Sequence, residues 1–206
     1  MNEIVGWIFA SIVIYGLIFS IKFFWNYPAW PPLKELAQKL KGKIRPSLLG
    51  GIVCKFKYES LNIKIFIPPT HGLASPRLIL VLSGKHFLFN AFITRKEKTT
   101  NLLKKQLWGS YHKAIRSADS EFDDMFIIYT NDENKFKNYL SNPFIKQTIK
   151  DVVITGWENF YLTPQEVRLG RKIKSALGMP LSDDIRVDNI IITLEKIKKL
   201  IDYKKS

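Results

Sequence analysis

The stretch Ile4–Ile21, IVGWIFASIVIYGLIFSI, holds 18 residues without one charge. At ~1.5 Å per residue it spans about 27 Å as a helix, close to the ~30 Å hydrocarbon core of a bilayer. The composition predicts one transmembrane helix, with Ile4, Val5, Trp7, Ile8, Phe9, Ile12, Val13, Ile14, Tyr15, Leu17, Ile18, Phe19 and Ile21 as its membrane-spanning residues. Phe23, Phe24 and Trp25 extend the apolar reach past Lys22, whose long stem can snorkel to the interface. Trp7 at one end, and Trp25, Tyr27 and Trp30 at the other, are placed as interfacial aromatics. Pro28, Pro31 and Pro32 are expected to stop the helix and give a stiff exit.

A cleaved signal peptide wants a basic leader, a shorter apolar core and a small-residue cleavage site. This sequence has Glu3 in its leader and bulky aromatics after the core, which favours an uncleaved anchor. No Lys or Arg precedes the helix, whereas Lys22, Lys34, Lys39, Lys41, Lys43 and Arg45 follow it. The positive-inside rule therefore puts the N-terminus outside and the following domain in the cytoplasm. Gly6 with Ala10, and Gly16 with Ser20, stand at the small-xxx-small spacing that lets two helices approach. Self-association or contact with another membrane protein through this helix is a candidate interaction.

Of the 206 residues, 32 are Lys or Arg and 18 are Asp or Glu, a formal net charge of +14. Residues 1–31 contribute only Glu3 and Lys22, so the excess belongs to the rest. Such a balance favours anionic partners, and for a tethered domain the nearest anionic surface is the bilayer. Lys22, Lys39, Lys41, Lys43 and Arg45 are the candidate lipid-contacting cations, each worth roughly 1 kcal/mol near an anionic leaflet. Nucleic-acid binding is disfavoured, because Phe87, Phe89 and Phe92 read as strand core rather than as exposed stacking platforms. Cys54 is the single cysteine; it sits in an alternating run and reads as a buried thiol.

Residues 33–40 have helical spacing (Leu33, Leu36, Ala37, Leu40) and should end near Gly42 as a short juxtamembrane amphipathic helix. Alternation predicts strands at 52–58 and 63–67, with a turn at Leu61 and Asn62, and further strands at 77–82 and 86–94 joined by a hairpin loop at 83–85. Those four strands suggest an antiparallel meander. The segment 99–108 reads as helical or irregular. A strand at 126–129, a helix capped by Asn131 or Asp132 and running to Leu140, and a second helix capped by Ser141 or Asn142 and running to about Lys150 follow. Strands are expected at 152–154 and 159–162, extended by 166–168. Asp183 or Asp184 should start a last helix, with Ile190, Leu194, Ile197 and Ile201 on its buried stripe. The chain thus reads as α+β: a single transmembrane anchor (1–27), a juxtamembrane linker and short helix (28–45), and a basic domain (46–206). That domain is expected to be mainly antiparallel strands with peripheral helices and a C-terminal amphipathic helix.

The segment 119–140, DSEFDDMFIIYTNDENKFKNYL, resembles a pattern in uncharacterised bacterial membrane-anchored proteins. That pattern is an acidic PEFD turn, a short apolar strand, an S/T-N-D turn and a helix ending in leucine. A LAxxLxG helix belongs to the same layout, and 36–42 (LAQKLKG) fits it, while Ser120 replaces the proline. The family has no established activity, so the resemblance implies an α+β architecture and no catalytic role.

No motif carries a recognisable chemistry. Asp119, Glu121, Asp123 and Asp124 form an acidic cluster without the glycine bend of a calcium loop, and read as a solvated turn. His71, His86 and His112 stand in no metal-ligand frame. Ser83-Gly84-Lys85 lacks the remainder of a phosphate loop. No catalytic, cofactor or metal residue is assigned. The expected function is an interaction or scaffolding module at the inner membrane face. The alternatives are an unrecognised membrane-bound enzyme and an anionic-lipid-docking domain.

Overall fold

The structure is a computed structural model that describes residues 2–47, 51–68, 76–84, 87–96, 113–176, 179–180 and 185–203. Helix α1 (Asn2–Asn26) passes through a 3₁₀ turn (Tyr27–Ala29) into α2 (Trp30–Lys39). Four strands follow: β1 (Lys43–Pro46), β2 (Ile52–Tyr58), β3 (Leu61–Ile67) and β4 (Arg77–Ser83). Then come β5 (Ala91–Arg95), β6 (Lys113–Ile115), α3 (Ser120–Met125), β7 (Phe126–Thr130), α4 (Glu133–Leu140) and α5 (Pro143–Ile154). The chain closes with β8 (Asn159–Leu162), β9 (Glu166–Lys172), a short pair β10 (Ser175–Ala176) and β11 (Met179–Pro180), and α6 (Val187–Tyr203). Nine strands form an antiparallel sheet in the order β1-β2-β3-β4-β9-β8-β5-β7-β6. The α+β reading holds.

By their internal contacts the residues form two compact units. One comprises Met1–Lys57, Lys64–Ile79 and Lys172–Val187. Its exit from α1 is helical, not extended: Pro28 lies in the 3₁₀ turn, and Pro31 and Pro32 lie in the first turn of α2. Proline is tolerated there because the amides of a first turn have no intrahelical partner. Phe23 ties the joint together, its ring meeting Tyr27 at 6.1 Å and Trp30 at 5.7 Å edge-on.

Helix α2 ends in a Schellman motif. The Gly42 amide donates to the Ala37 carbonyl (2.6 Å), the Lys41 amide donates to that of Gln38 (3.3 Å), and Lys41 takes a left-handed φ of 49°. Glycine is required at 42 by a close approach: a Cβ there would stand 2.7 Å from Phe56 Cβ and 2.8 Å from the Lys55 carbonyl oxygen. The chain then forms edge strand β1, where a linker was expected to run as far as Arg45. The turn after β2 falls at Glu59 and Ser60 rather than at Leu61 and Asn62, with Glu59 left-handed (φ 51°). Leu33, Leu36, Cys54, Phe56, Ile65 and Leu78 belong to this unit's core.

The other unit comprises Tyr58–Ile63, Leu80–Arg171 and Asp188–Ser206. The fourth strand of the expected meander is misplaced. β5 begins only at Ala91 and pairs with β7 and β8, so no hairpin joins it to β4. The reason is burial: Ala91, Phe92, Ile93 and Thr94 are all shielded, as suits a central strand. Phe87 and Phe89 do not alternate along a strand but pack with Tyr139, their rings 5.4 and 5.5 Å from it. Phe92 lies between its cross-strand partners Tyr129 and Tyr161.

The expected strand at 152–154 is instead the last turn of α5. Val152 and Val153 continue the buried stripe of Ile145 and Ile149 at helical spacing, and that packing overrides their β-branched preference. The stripe Ile190, Leu194, Ile197 and Ile201 on α6 is buried as expected. Thr193 on the same helix accepts from Trp157 Nε1 (2.9 Å) and donates to the Asn189 carbonyl, so this buried hydroxyl is satisfied. The residues 99–108, Asp183 and Asp184 lie outside the described residues.

Candidate functional site

Within Ile4–Ile21 no residue is buried, and the helix is long and apolar enough to cross a membrane. Such exposure in water is untenable, with Trp7 75% and Phe9 69% exposed. A core helix of a soluble domain would bury this surface; α1 does not. The Ser11 hydroxyl donates to the Trp7 carbonyl at 2.8 Å and so carries no unmet donor into lipid. Gly6 and Gly16 have open space where a Cβ would stand, so both small-residue positions lie on free helix surface.

The five cations singled out from sequence do not form one group. The Lys22 side chain lies outside the described residues. Lys39 pairs with Glu35 one turn back at 3.0 Å. Lys41 occupies the left-handed cap. Lys43 and Arg45, both exposed, lie on β1. Register places Lys43 directly opposite Lys55 and Arg45 opposite Val53. Cross-strand partners share a face, so Lys43, Arg45 and Lys55 point the same way. Strand alternation adds Lys57 two residues on, opposite in sense to buried Cys54 and Phe56. On β3 the same alternation buries Ile63, Ile65 and Ile67 and turns Lys64 and Phe66 outward, the ammonium 4.5 Å from the ring centroid. None of Lys43, Arg45, Lys55, Lys57 and Lys64 pairs with a carboxylate among the described residues. Lys55, Lys57 and Lys64 were missed from sequence as members of this set. The alternation about Cys54 was the available signal; the β1–β2 register that joins them was not.

The acidic cluster is arranged otherwise. Asp119 caps α3, accepting from the Phe122 amide at 3.0 Å, and takes the Lys146 ammonium at 3.0 Å. These bonds, the backbone one first, hold its carboxyl below the ordinary carboxylate range. Glu121 pairs with Lys150 at 2.8 Å, Asp123 accepts from the Ser117 amide at 2.7 Å, and Asp124 lies 3.6 Å from Lys96. All four carboxylates thus have a partner within the chain, Glu121 and Asp124 at exposed positions, and no group of metal-ligating side chains occurs among the described residues.

The T-N-D turn is equally structural. Thr130 Oγ1 donates to the Asn90 carbonyl, Asn131 Oδ1 accepts the Asn90 amide, and Asp132 caps α4 through the Lys135 amide. His71, His86 and His112, and Lys85 of the 83–85 loop, lie outside the described residues. Cys54 is fully buried, and burial pushes its thiol up to about 11, so it is unreactive at neutral pH.

Other lysine and arginine groups also dissolve on folding. Arg171 is buried over the Trp157 ring, Arg168 pairs with Glu166, Lys196 with Asp151, and Lys198 with Glu59 and Asp202. A cleft of about 630 Å³ is lined by Leu88, Phe89, Lys135, Asn138 and Tyr139 among others, with no carboxylate or histidine among its described lining.

No family model matches the sequence, and no curated protein matches it. The chain is similar in fold to the crystal structure of the mycobacterial trehalose monomycolate transport factor A, TtfA, with a TM-score of 0.55 at 7% identity. The match covers 82% of this chain and 92% of that one. At that identity the likeness establishes a shared fold.

Proposed function

We propose that this chain is a membrane-anchored interaction module, held by α1 with its folded domain at the cytoplasmic face, where it binds a membrane-protein partner. The observation that carries this reading is α1: 18 uncharged, mainly apolar residues with none buried, joined through a packed aromatic turn to a folded unit. The run of cations that follows the apolar span favours the cytoplasmic side. The commitment of the acidic cluster to caps and ion pairs favours binding over catalysis. Likeness in fold to a transport factor favours a supporting role in a membrane process such as transport. The (P)EFD resemblance belongs to the same proposal, since Asp119, Glu121, Asp123, Thr130, Asn131 and Asp132 each have a partner within the chain.

Two measurements test it. Crosslinking of the full chain in cells, followed by pull-down, should recover a specific membrane protein or a second copy of the chain; recovery of neither overturns the interaction reading. For sidedness, Cys54 is too buried to report. An Asn62→Cys label on the Cys54→Ala background reports instead, since Asn62 is exposed on β3. It should react with an impermeant thiol reagent only after permeabilisation. Reaction in intact cells would place the domain outside.

A further inference from the structure

We infer that the outward face of β1–β3 is a docking surface for anionic phospholipid head groups. This rests on the anchor reading above, which supplies the bilayer, and not on which side the domain occupies. Three observations carry it. First, register and alternation gather Lys43, Arg45, Lys55, Lys57 and Lys64 on one face of three adjacent strands. Second, that face has no acidic partner among the described residues, whereas the lysines on α5 and α6 named above are neutralised by carboxylates. Five like charges held side by side repel one another, a cost that the Lys64–Phe66 contact offsets only at one of them. Third, the face belongs to the same compact unit as α1, and only Leu40, Lys41 and Gly42 separate the end of α2 from β1. Tethering keeps the local concentration of membrane high.

The composition of the face suits a bilayer surface. Phe66 and Val53 lie half-buried among the cations and offer an apolar floor. Long lysine stems can cover that floor while the ammonium groups reach phosphate and carboxylate head groups. No shaped pocket is needed, which separates lipid-surface docking from recognition of one small phosphate ligand. Nucleic acid would instead want several exposed aromatic faces among the cations.

The test uses the full chain in nanodiscs. A fluorophore on Asn62→Cys (Cys54→Ala background) reports proximity through quenching by a lipid carrying a head-group spin label. Discs of neutral phosphatidylcholine are compared with discs in which part of the lipid is phosphatidylserine. Docking predicts strong quenching in the anionic discs, weak quenching in the neutral ones, and loss of the difference at high salt. A Lys43→Glu, Lys55→Glu, Lys57→Glu variant should lower the docking equilibrium by on the order of 100-fold or more. The corresponding Gln variant should give an intermediate loss and guards against misfolding by charge reversal. Equal quenching in both lipids, or quenching undiminished in both variants, overturns the inference. So does a probe that responds to an added single-stranded oligonucleotide and not to phosphatidylserine. Failure of the anchor reading would show separately, as protein that does not co-elute with discs of either composition.

Discussion

The acidic turn at 119–124 and the basic face of β1–β3 are both dense in charge, and they use it in opposite ways. In the turn, Asp119 caps a helix and holds Lys146, Glu121 holds Lys150, and Asp123 takes a backbone amide. On the face, Lys43 stands directly across from Lys55 with no carboxylate to separate them. Charge paired inside the chain is part of the architecture, and its removal should cost stability. Charge that the fold leaves facing its like is free for something outside the chain, and its removal should cost the fold little. The two regions therefore make opposite predictions for the same class of substitution.

The largest effect should come from the apolar residue that pins the acidic turn. Phe122 is fully buried, its ring 4.6 Å from that of Phe126. Phe122→Ala should cost about 3–5 kcal/mol, read from chemical unfolding in detergent. A loss below about 1 kcal/mol would mean that the turn is not packed as described.

Asp119 comes next. Asp119→Ala removes the cap and an ion pair, and should lower stability by less than Phe122→Ala does. Its pH dependence has a definite sign. The folded-state pKa is lowered, first by the Phe122 amide and then by Lys146. The stability it contributes is therefore present above the ordinary carboxylate value of about 4 and is lost as pH falls through the lower folded value. Asp119→Asn keeps an acceptor for the amide and loses the charge. Unfolding between neutral pH and about pH 3 should show a shallower acid loss for Asp119→Asn than for the wild type. Equal slopes would show that the turn's charges are merely solvated, and would erase the contrast with the basic face.

What was legible in the sequence was local. The anchor announces itself by composition, and the caps at Asp132 and Asn142 by residue type just before an apolar rhythm. The buried stripe of α6 is a period, readable without knowing what covers it. What was illegible depends on distant partners. Of the four residues KIRP, two of them cations and one a proline, only Ile44 favours a strand; β1 exists because the edge of β2 offers it hydrogen bonds. Its charges and Pro46 then blunt the new edge. For the same reason β5 was put beside β4: adjacency in sequence was taken for adjacency in the sheet, while the burial of β5 called for neighbours on both sides. The candidate site inherited this error. Lys43 and Arg45 were seen as part of a juxtamembrane run, and only the β1–β2 register joins them to Lys55 and Lys57.

The smallest expected effect is the one that most sharpens the comparison. Lys55 has Lys43 directly opposite and Lys57 two residues along its own strand. Like charges facing each other across a ladder destabilise it, and opposite charges stabilise it, each by roughly 0.2–1 kcal/mol. Lys and Glu differ little in strand preference, so that preference should not mask the electrostatic change. Lys55→Glu should therefore stabilise the protein by a few tenths of a kcal/mol in dilute buffer, and the gain should shrink toward zero near 1 M salt, where the Debye length is about 3 Å. Unfolding of wild type and variant at the two salt concentrations decides it. A destabilised variant would mean that Lys55 already has an acidic partner within the chain, and the basic face would join the acidic turn as ordinary architecture. A stabilised variant that also docks less well on anionic discs would separate the two uses of charge within a single residue.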